Sequence, residues 1–268
     1  MSIKTIRPQV SDNSQTSFLP IDIIDFFPND TGSADMIGTG IGNDYREYAI
    51  KQGIEHLEYI PAVELFCHEL CRLLIIPTPR YEIVRLFDGK LAFGSQWDGG
   101  ALPHSAEPYI QTWIHKELDE SFTNFNTIGK IYGLDLFINN IDRHWNNYLL
   151  VKNRTTISTL AFDFGRALFN MPDNGYDGFD VFRVNEKLFA NTGLGQLRFF
   201  EKNFHVHEAA EQTLNEISAI HKSKIIPILD KIPLEWLSEN IRQDFLTWWG
   251  SDKFKSRIEE LKSRGLAP

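Results

Sequence analysis

Cysteine is scarce in this chain, with two among 268 residues, Cys67 and Cys71. Two thiols cannot staple a disulfide framework. Long apolar runs are missing as well, and no stretch approaches the ~20 residues that a bilayer-spanning helix needs. The N-terminal MSIKTIRPQV holds no apolar core of the kind a signal peptide uses. Positive charge is in deficit, at 27 Lys+Arg against 36 Asp+Glu for a net charge of −9. That balance argues against nucleic acid or an anionic membrane held by bulk charge, though not against an anionic ligand held locally. No G-K-[ST] is present, so there is no Walker A phosphate loop, and no G-x-S-x-G elbow marks an α/β-hydrolase. What remains, 42% hydrophobic and 24% charged, is an ordinary globular composition. We expect an intracellular, cytoplasmic protein with no direct nucleic-acid or membrane partner.

Phe18–Phe27 reads as a strand starting near Ile21, after Pro20, and Tyr45–Lys51 as another, entered through the turn-forming Gly42-Asn43-Asp44. Pro61 suits the first turn of a helix. Val63, Phe66, Cys67, Leu70 and Leu74 then recur at helical spacing as one buried stripe, ended by Pro77-Thr78-Pro79. Tyr81–Leu86 and Leu91–Gly94 flank an Asp88-Gly89 turn as a strand pair. Beyond Gly99-Gly100 the pattern changes: Ile128–Ile138 is helical, two short strands flank Lys152-Asn153-Arg154, and helical periodicity returns from Glu208. The expected architecture is α+β, with residues 1–97 as a small sheet plus one helix and residues 98–268 as a mainly helical part.

Two short stretches carry chemistry. In Asn140-Ile141-Asp142-Arg143-His144-Trp145-Asn146-Asn147, Asp142 and Asn147 stand in an Asp-x4-Asn arrangement. Phe162-Asp163-Phe164-Gly165 sets a D-F-G at the end of an apolar strand. Phosphoryl transfer from ATP needs a carboxylate to align the attacking hydroxyl, and an amide oxygen and a second carboxylate to hold Mg²⁺ against the phosphates. Asp142, Asn147 and Asp163 match those roles in type, order and spacing. A hairpin between the stretches brings Asn147 and Asp163 together at its open end.

This pattern resembles the protein-kinase-like superfamily, and within it the atypical HipA-like kinases, which read roughly N-x-D-R-x-x-x-N. The resemblance is sharp over residues 134–166 and fair over 45–97. It implies a two-lobed protein-kinase-like fold, with residues 1–97 as an ATP-binding lobe built on a small antiparallel sheet plus helix, and residues 98–268 as a larger catalytic lobe. It also implies a strand-end lysine for the phosphates, which Lys51 in Tyr48-Ala49-Ile50-Lys51 matches, and a helix glutamate to hold it. Glu64 is favoured for that glutamate and Glu69 is its rival. The phosphate-covering loop would fall at Asn29–Ala34, with Gly32 and Ser33, or else at Gly38-Thr39-Gly40-Ile41-Gly42. Ser95, Gln96 and Trp97 would run past the adenine as the connection between lobes.

Arg143 could neutralise a carboxylate or phosphate, His144 could brace the loop, and Arg166 could pair with an acidic neighbour. The implied activity is a magnesium-dependent kinase acting on Ser or Thr of a protein, with an antitoxin-like regulatory protein as a partner. A phosphoinositide or small-molecule kinase, or a non-catalytic ATP-binding module, are the alternatives. No A-P-E follows the D-F-G, which departs from the eukaryotic pattern. Cys67 and Cys71 could share a metal on one helix face, but four ligands are wanting and core packing is the favoured reading.

Overall fold

The structure is a computed structural model that describes residues 19–29, 35–96, 99–102, 106–116, 119–170 and 205–266. Of the expected site residues, Gly32, Ser33 and Trp97 lie outside the described residues.

Five strands make the N-terminal sheet: β1 (Ile21–Pro28), β2 (Gly38–Gly42), β3 (Glu47–Lys51), β4 (Tyr81–Arg85) and β5 (Leu91–Gln96). They pair in the order β1-β2-β3-β5-β4 and close into a barrel. The small antiparallel sheet expected from the sequence is corrected here, because the closing seam between β1 and β4 is parallel, with Ile21 opposite Val84. The chain leaves β3, crosses through a helix and returns along β4, which puts β4 beside β1 in the same direction. A register shift between Ile23 and Asp25 bends β1 at this seam.

The glycine-rich stretch Gly38–Gly42 is strand β2, not a loop. Gly38, Gly40 and Gly42 alternate with Thr39 and Ile41, and a Cβ on Gly40 would lie 2.7 Å from Ile50 Cδ1. These glycines leave room for the small apolar interior of Ile23, Tyr48, Ile50, Val84 and Ala92.

Between β3 and β4 runs α1 (Ile60–Leu73), with Pro61 in its first turn. Every residue from Ile60 to Cys71 is buried, so the expected single stripe is too narrow. The helix has neighbours all round, and its polar side chains therefore need internal partners. Cys67 and Cys71 are buried free thiols. Among the described residues no group of three or more His, Cys, Asp or Glu side chains converges as a metal site, so the two thiols have no co-ligands.

Among the described residues there follow α2 (Glu107–Lys116), α3 (Asp119–Ile138), the hairpin β6 (Tyr148–Asn153) and β7 (Thr156–Ala161), then α4 (Val206–Ala219), α5 (Lys222–Lys231), α6 (Glu239–Trp248) and α7 (Asp252–Gly265). Helix α3 packs on α4 almost backbone to backbone. A Cβ on Gly129 would stand 2.6 Å from the Val206 carbonyl oxygen, and one on Gly133 would stand 2.5 Å from that of Ala210. Phe66, Phe137, Phe245, Trp249 and Phe254 interlock in a large apolar core that takes in α1 and the helices after residue 100. No helix among the described residues is long and apolar enough to cross a membrane.

Candidate active site

The hairpin brings the two sequence stretches together. Tyr148 pairs with Ala161, so Asn147 just before β6 and Phe162-Asp163 just after β7 meet at its open end. Helix α3 stops at Asn139, whose φ of 57° ends the helical path. Arg143 follows with no solvent exposure. Its Nε donates to Asp135 Oδ2 at 2.8 Å and its Nη2 to Asp135 Oδ1 at 3.1 Å. Its Nη1 donates to the carbonyls of Asn147 and Phe162.

Arg143 is therefore a clamp across the hairpin mouth, and its buried charge is met by Asp135. A phosphate-neutralising role for Arg143 is corrected by this burial. His144 accepts a hydrogen bond from the Asn146 N–H at 3.2 Å and caps the short turn Trp145–Asn147.

From the barrel side comes Lys51, at the end of β3 and 8% exposed. Its Nζ donates at 2.6 Å to Glu64 Oε1 and at 2.6 Å to Asp163 Oδ1. Burial pulls the ammonium's pKa down, but the two carboxylates outweigh it and hold Lys51 above its ordinary value. The carboxylates fare differently. Burial pushes Glu64 up against the pull of Lys51, whereas for Asp163 the attraction of Lys51 and Arg143 wins over burial and holds it below the usual range. Asp163 is the more exposed of the two, 22% against 1% for its side chain, so it loses less hydration.

Glu64 Oε1 also accepts from the Phe164 N–H at 3.0 Å, which ties α1 to the D-F-G segment. The backbone of Asp163 lies at φ 63°, a left-handed conformation uncommon outside glycine and Asn/Asp, which aims its side chain at Lys51. Glu69, the rival glutamate, points elsewhere: it binds the Tyr81 hydroxyl, Arg72 and Lys231.

Asp142 is half-exposed. Its main-chain oxygen accepts from Asn147 Nδ2 at 2.9 Å, which turns the Asn147 amide oxygen outward from that bond. Arg166 Nε stands 3.5 Å from Asp142 Oδ2. Burial pushes the Asp142 carboxyl up, Arg166 draws it down, and the nearby Asp163 adds to the rise. Arg166 also grips Asp35, at 3.3 Å from each carboxylate oxygen.

Between the two halves of this cluster lies a cavity of about 140 Å³. Ala49, Leu149 and Phe162 line it with Lys51, Glu64 and Asp163, and Ser95 and Gln96 form one wall. Ser95 and Gln96 belong to β5, paired with Ala49 and Tyr48, and are not in a connecting loop as expected. A larger hollow of about 790 Å³ lies elsewhere, bounded by Gln52–Glu55, Asp88–Leu91 and Trp236. It contains none of the candidate residues, and its size does not make it the site.

Two residues that brace the site carry no sequence signal: Asp35 sits in no motif, and Asp135 lies within an apolar helical pattern.

The fold is similar to that of a solved kinase. The crystal structure of the Helicobacter pylori proinflammatory kinase CtkA matches with a TM-score of 0.55 at 15% identity, over 92% of this chain and 99% of that one. The Golgi casein kinase with Mn/ADP bound matches at 0.49 and 14% identity, over 93% and 74% of the two chains. HipA of Shewanella oneidensis MR-1, solved with HipB and operator DNA, matches at 0.46 and 11%, over 90% of this chain and 65% of that one. The first of these places the chain in a kinase-like α+β fold; the other two, below 0.5, add no weight. No family model matches the chain, and no curated protein sequence does.

Proposed function

We propose that this chain is an ATP-dependent phosphotransferase of the HipA-like kind, moving the γ-phosphoryl group to a hydroxyl. The observation that carries this reading is the Lys51 ammonium held at 2.6 Å by both Glu64 and Asp163 beside the cavity. A buried cation fixed by two carboxylates that come from distant parts of the chain is a preorganised phosphate ligand. The cavity is smaller than the roughly 300–1,000 Å³ of whole-ligand pockets. It suits a planar base against Ala49 and Leu149, with the phosphates lying outward along Lys51. Residues 1–97 would then carry the nucleotide and residues 98–268 the acceptor.

The donor set fits a hard divalent cation. Asp163 spends Oδ1 on Lys51 and keeps Oδ2. Asn147 spends Nδ2 on the Asp142 carbonyl and keeps its amide oxygen. One carboxylate and one amide oxygen match the few protein ligands that Mg²⁺ takes when phosphates and water supply the rest. Bound there, Mg²⁺ would neutralise charge on the phosphates. Lys51 would hold the phosphates in line, and Glu64 would keep Lys51 from swinging away. Asp142 would orient the acceptor hydroxyl and take its proton, and its raised pKa makes it a better proton acceptor than a free aspartate.

The finer reading is Ser or Thr of a protein as acceptor, with an antitoxin-like protein as regulator. It rests on the likeness of Asn140–Asn147 to the HipA-like loop. The test is Asp142→Ala, assayed with γ-labelled ATP against protein mixtures and phosphoinositide vesicles, alongside nucleotide binding. Turnover on protein that is lost in the variant with binding retained supports the reading. Nucleotide binding by a wild type that turns over neither acceptor would mean a non-catalytic module.

A further inference from the structure

Arg166 stands where the D-F-G segment leaves the site, and its partners come from two other parts of the chain. Asp35, on the approach to β2, is 4% exposed. Its carboxylate takes Arg166 Nε at Oδ2 and Nη2 at Oδ1, both at 3.3 Å. This two-point grip fixes the plane of the guanidinium, which one contact to a lysine-like charge could not do. The same Nε then lies 3.5 Å from Asp142 Oδ2, at ion-pair range. The Arg166 side chain is 37% exposed and that of Asp142 44%, so the pair faces the open side of the site. Among the described residues Asp142 has one other anchor, the hydrogen bond that its main-chain oxygen accepts from Asn147, and that anchor does not fix the carboxylate.

We propose that Arg166 is a positioning residue: Asp35 orients its guanidinium, and the guanidinium holds the Asp142 carboxylate in line with the acceptor hydroxyl. The proposal rests on the phosphotransfer reading above. In the transfer step the hydroxyl oxygen forms the new P–O bond as the bond from the γ-phosphorus to the β–γ bridging oxygen breaks. ADP leaves with that electron pair and the proton goes to Asp142. Arg166 takes no part in bond making, and among the described residues it makes no hydrogen bond or ion pair to Lys51, Glu64, Asn147 or Asp163, the groups that would hold the nucleotide and its metal. Its removal should therefore act on kcat and leave nucleotide affinity alone.

The experiment is steady-state kinetics and nucleotide-binding titration on the full chain for Arg166→Met, Arg166→Lys, Asp35→Asn and the double variant Asp35→Asn/Arg166→Met. A misplacement on the order of 1 Å costs about 100-fold in rate, so Arg166→Met should lower kcat at least about ten-fold, with KM for ATP and nucleotide Kd within about two-fold. Arg166→Lys keeps the charge but not the fork and should fall between wild type and Met. Asp35→Asn should lower kcat by a smaller factor, and the double variant should be no worse than Arg166→Met, because Asp35 acts through Arg166.

Unchanged kcat in Arg166→Met, a loss that appears wholly in nucleotide Kd, or multiplicative effects in the double variant would each overturn the proposal. If Arg166→Met does not fold, the Arg166→Lys and Asp35→Asn pair decides, by lowering kcat at constant KM or failing to. A wild type that binds nucleotide without turnover removes the phosphotransfer reading itself, a different result from a wild type that turns over and variants that match it.

Discussion

The two apolar cores formed by the described residues are made of different materials. Inside the barrel the buried set is Ile23, Tyr48, Ile50, Val84 and Ala92, packed where the glycines of β2 leave room. That core is thin, and strand pairing around a closed ring supplies order that few side chains could. The larger core is dense in rings, with Phe66, Phe137, Phe245, Trp248, Trp249 and Phe254 in mutual contact. The border between them does not follow the change in composition near residue 100. Helix α1 comes early in the chain, yet its buried apolar side chains belong to the large core. Lys51 consequently hangs from one core and Glu64 from the other, and their 2.6 Å ion pair lies on the seam.

The hardest test of that division is Trp249→Ala. Trp249 is fully buried, and its Nε1 donates to the Ile220 carbonyl at 2.8 Å. Truncation leaves a cavity and an unpaired buried carbonyl, at a cost of about 3–5 kcal/mol in denaturant unfolding. Phe66 of α1 touches Trp249, so amide exchange in α1 should speed up along with that of α6 and α7. Fast exchange in α6 and α7 with α1 still protected would move α1 to the barrel side and break the comparison.

A smaller effect probes the seam through pH. His68 of α1 is buried among the rings of Tyr81, Phe93 and Phe164. Its Nδ1 donates to the Glu64 carbonyl at 2.8 Å, and burial lowers its pKa from 6.5 to about 4. Its folded pKa lies below the unfolded one, so its contribution is whole above pH 6.5 and is lost as the pH falls toward 4. The loss amounts to roughly 3 kcal/mol over that window. His68→Phe should flatten the window in stability measured against pH. An unchanged slope would mean that His68 titrates alike in the folded and unfolded states.

Much of this arrangement was open to reading because local chemistry leaves spacing behind. Asp142 and Asn147 share a loop, Asp163 follows a strand, and a hairpin has to join them, so their meeting needed no long-range information. Lys51 and Glu64 were placed by resemblance and do meet. Other features depend on what packs against them. Gly38–Gly42, the second candidate for the covering loop, has no strand pattern until Ile50 and Ile23 show why a strand there must be bare. Arg143 reads as a partner for a carboxylate or a phosphate until Asp135, in an apolar helical stretch, explains its burial. Ser95 and Gln96 read as a linker because a lone Gly94 hides the continued pairing of β5. The link from Asp35 to Arg166 spans 131 positions, with no pattern at either end.

The finest distinction between the cores is how each absorbs one methyl group. In the barrel, Gly40→Ala would put a Cβ 2.7 Å from Ile50 Cδ1 and 3.0 Å from Ile23 Cγ2, an overpacking that costs about 1–3 kcal/mol. Ile50→Val removes the atom in the way and alone costs about 0.5–1.5 kcal/mol. The double variant should therefore be more stable than the sum of the singles, by about 0.5–1 kcal/mol. Gly133→Ala on α3 has no such relief, since its Cβ would meet the Ala210 carbonyl oxygen at 2.5 Å and main chain cannot be trimmed. Combined with Ile50→Val it should simply add. Thermal and urea unfolding of the six proteins decides the matter: equal coupling in both pairs would mean that the two cores respond as one.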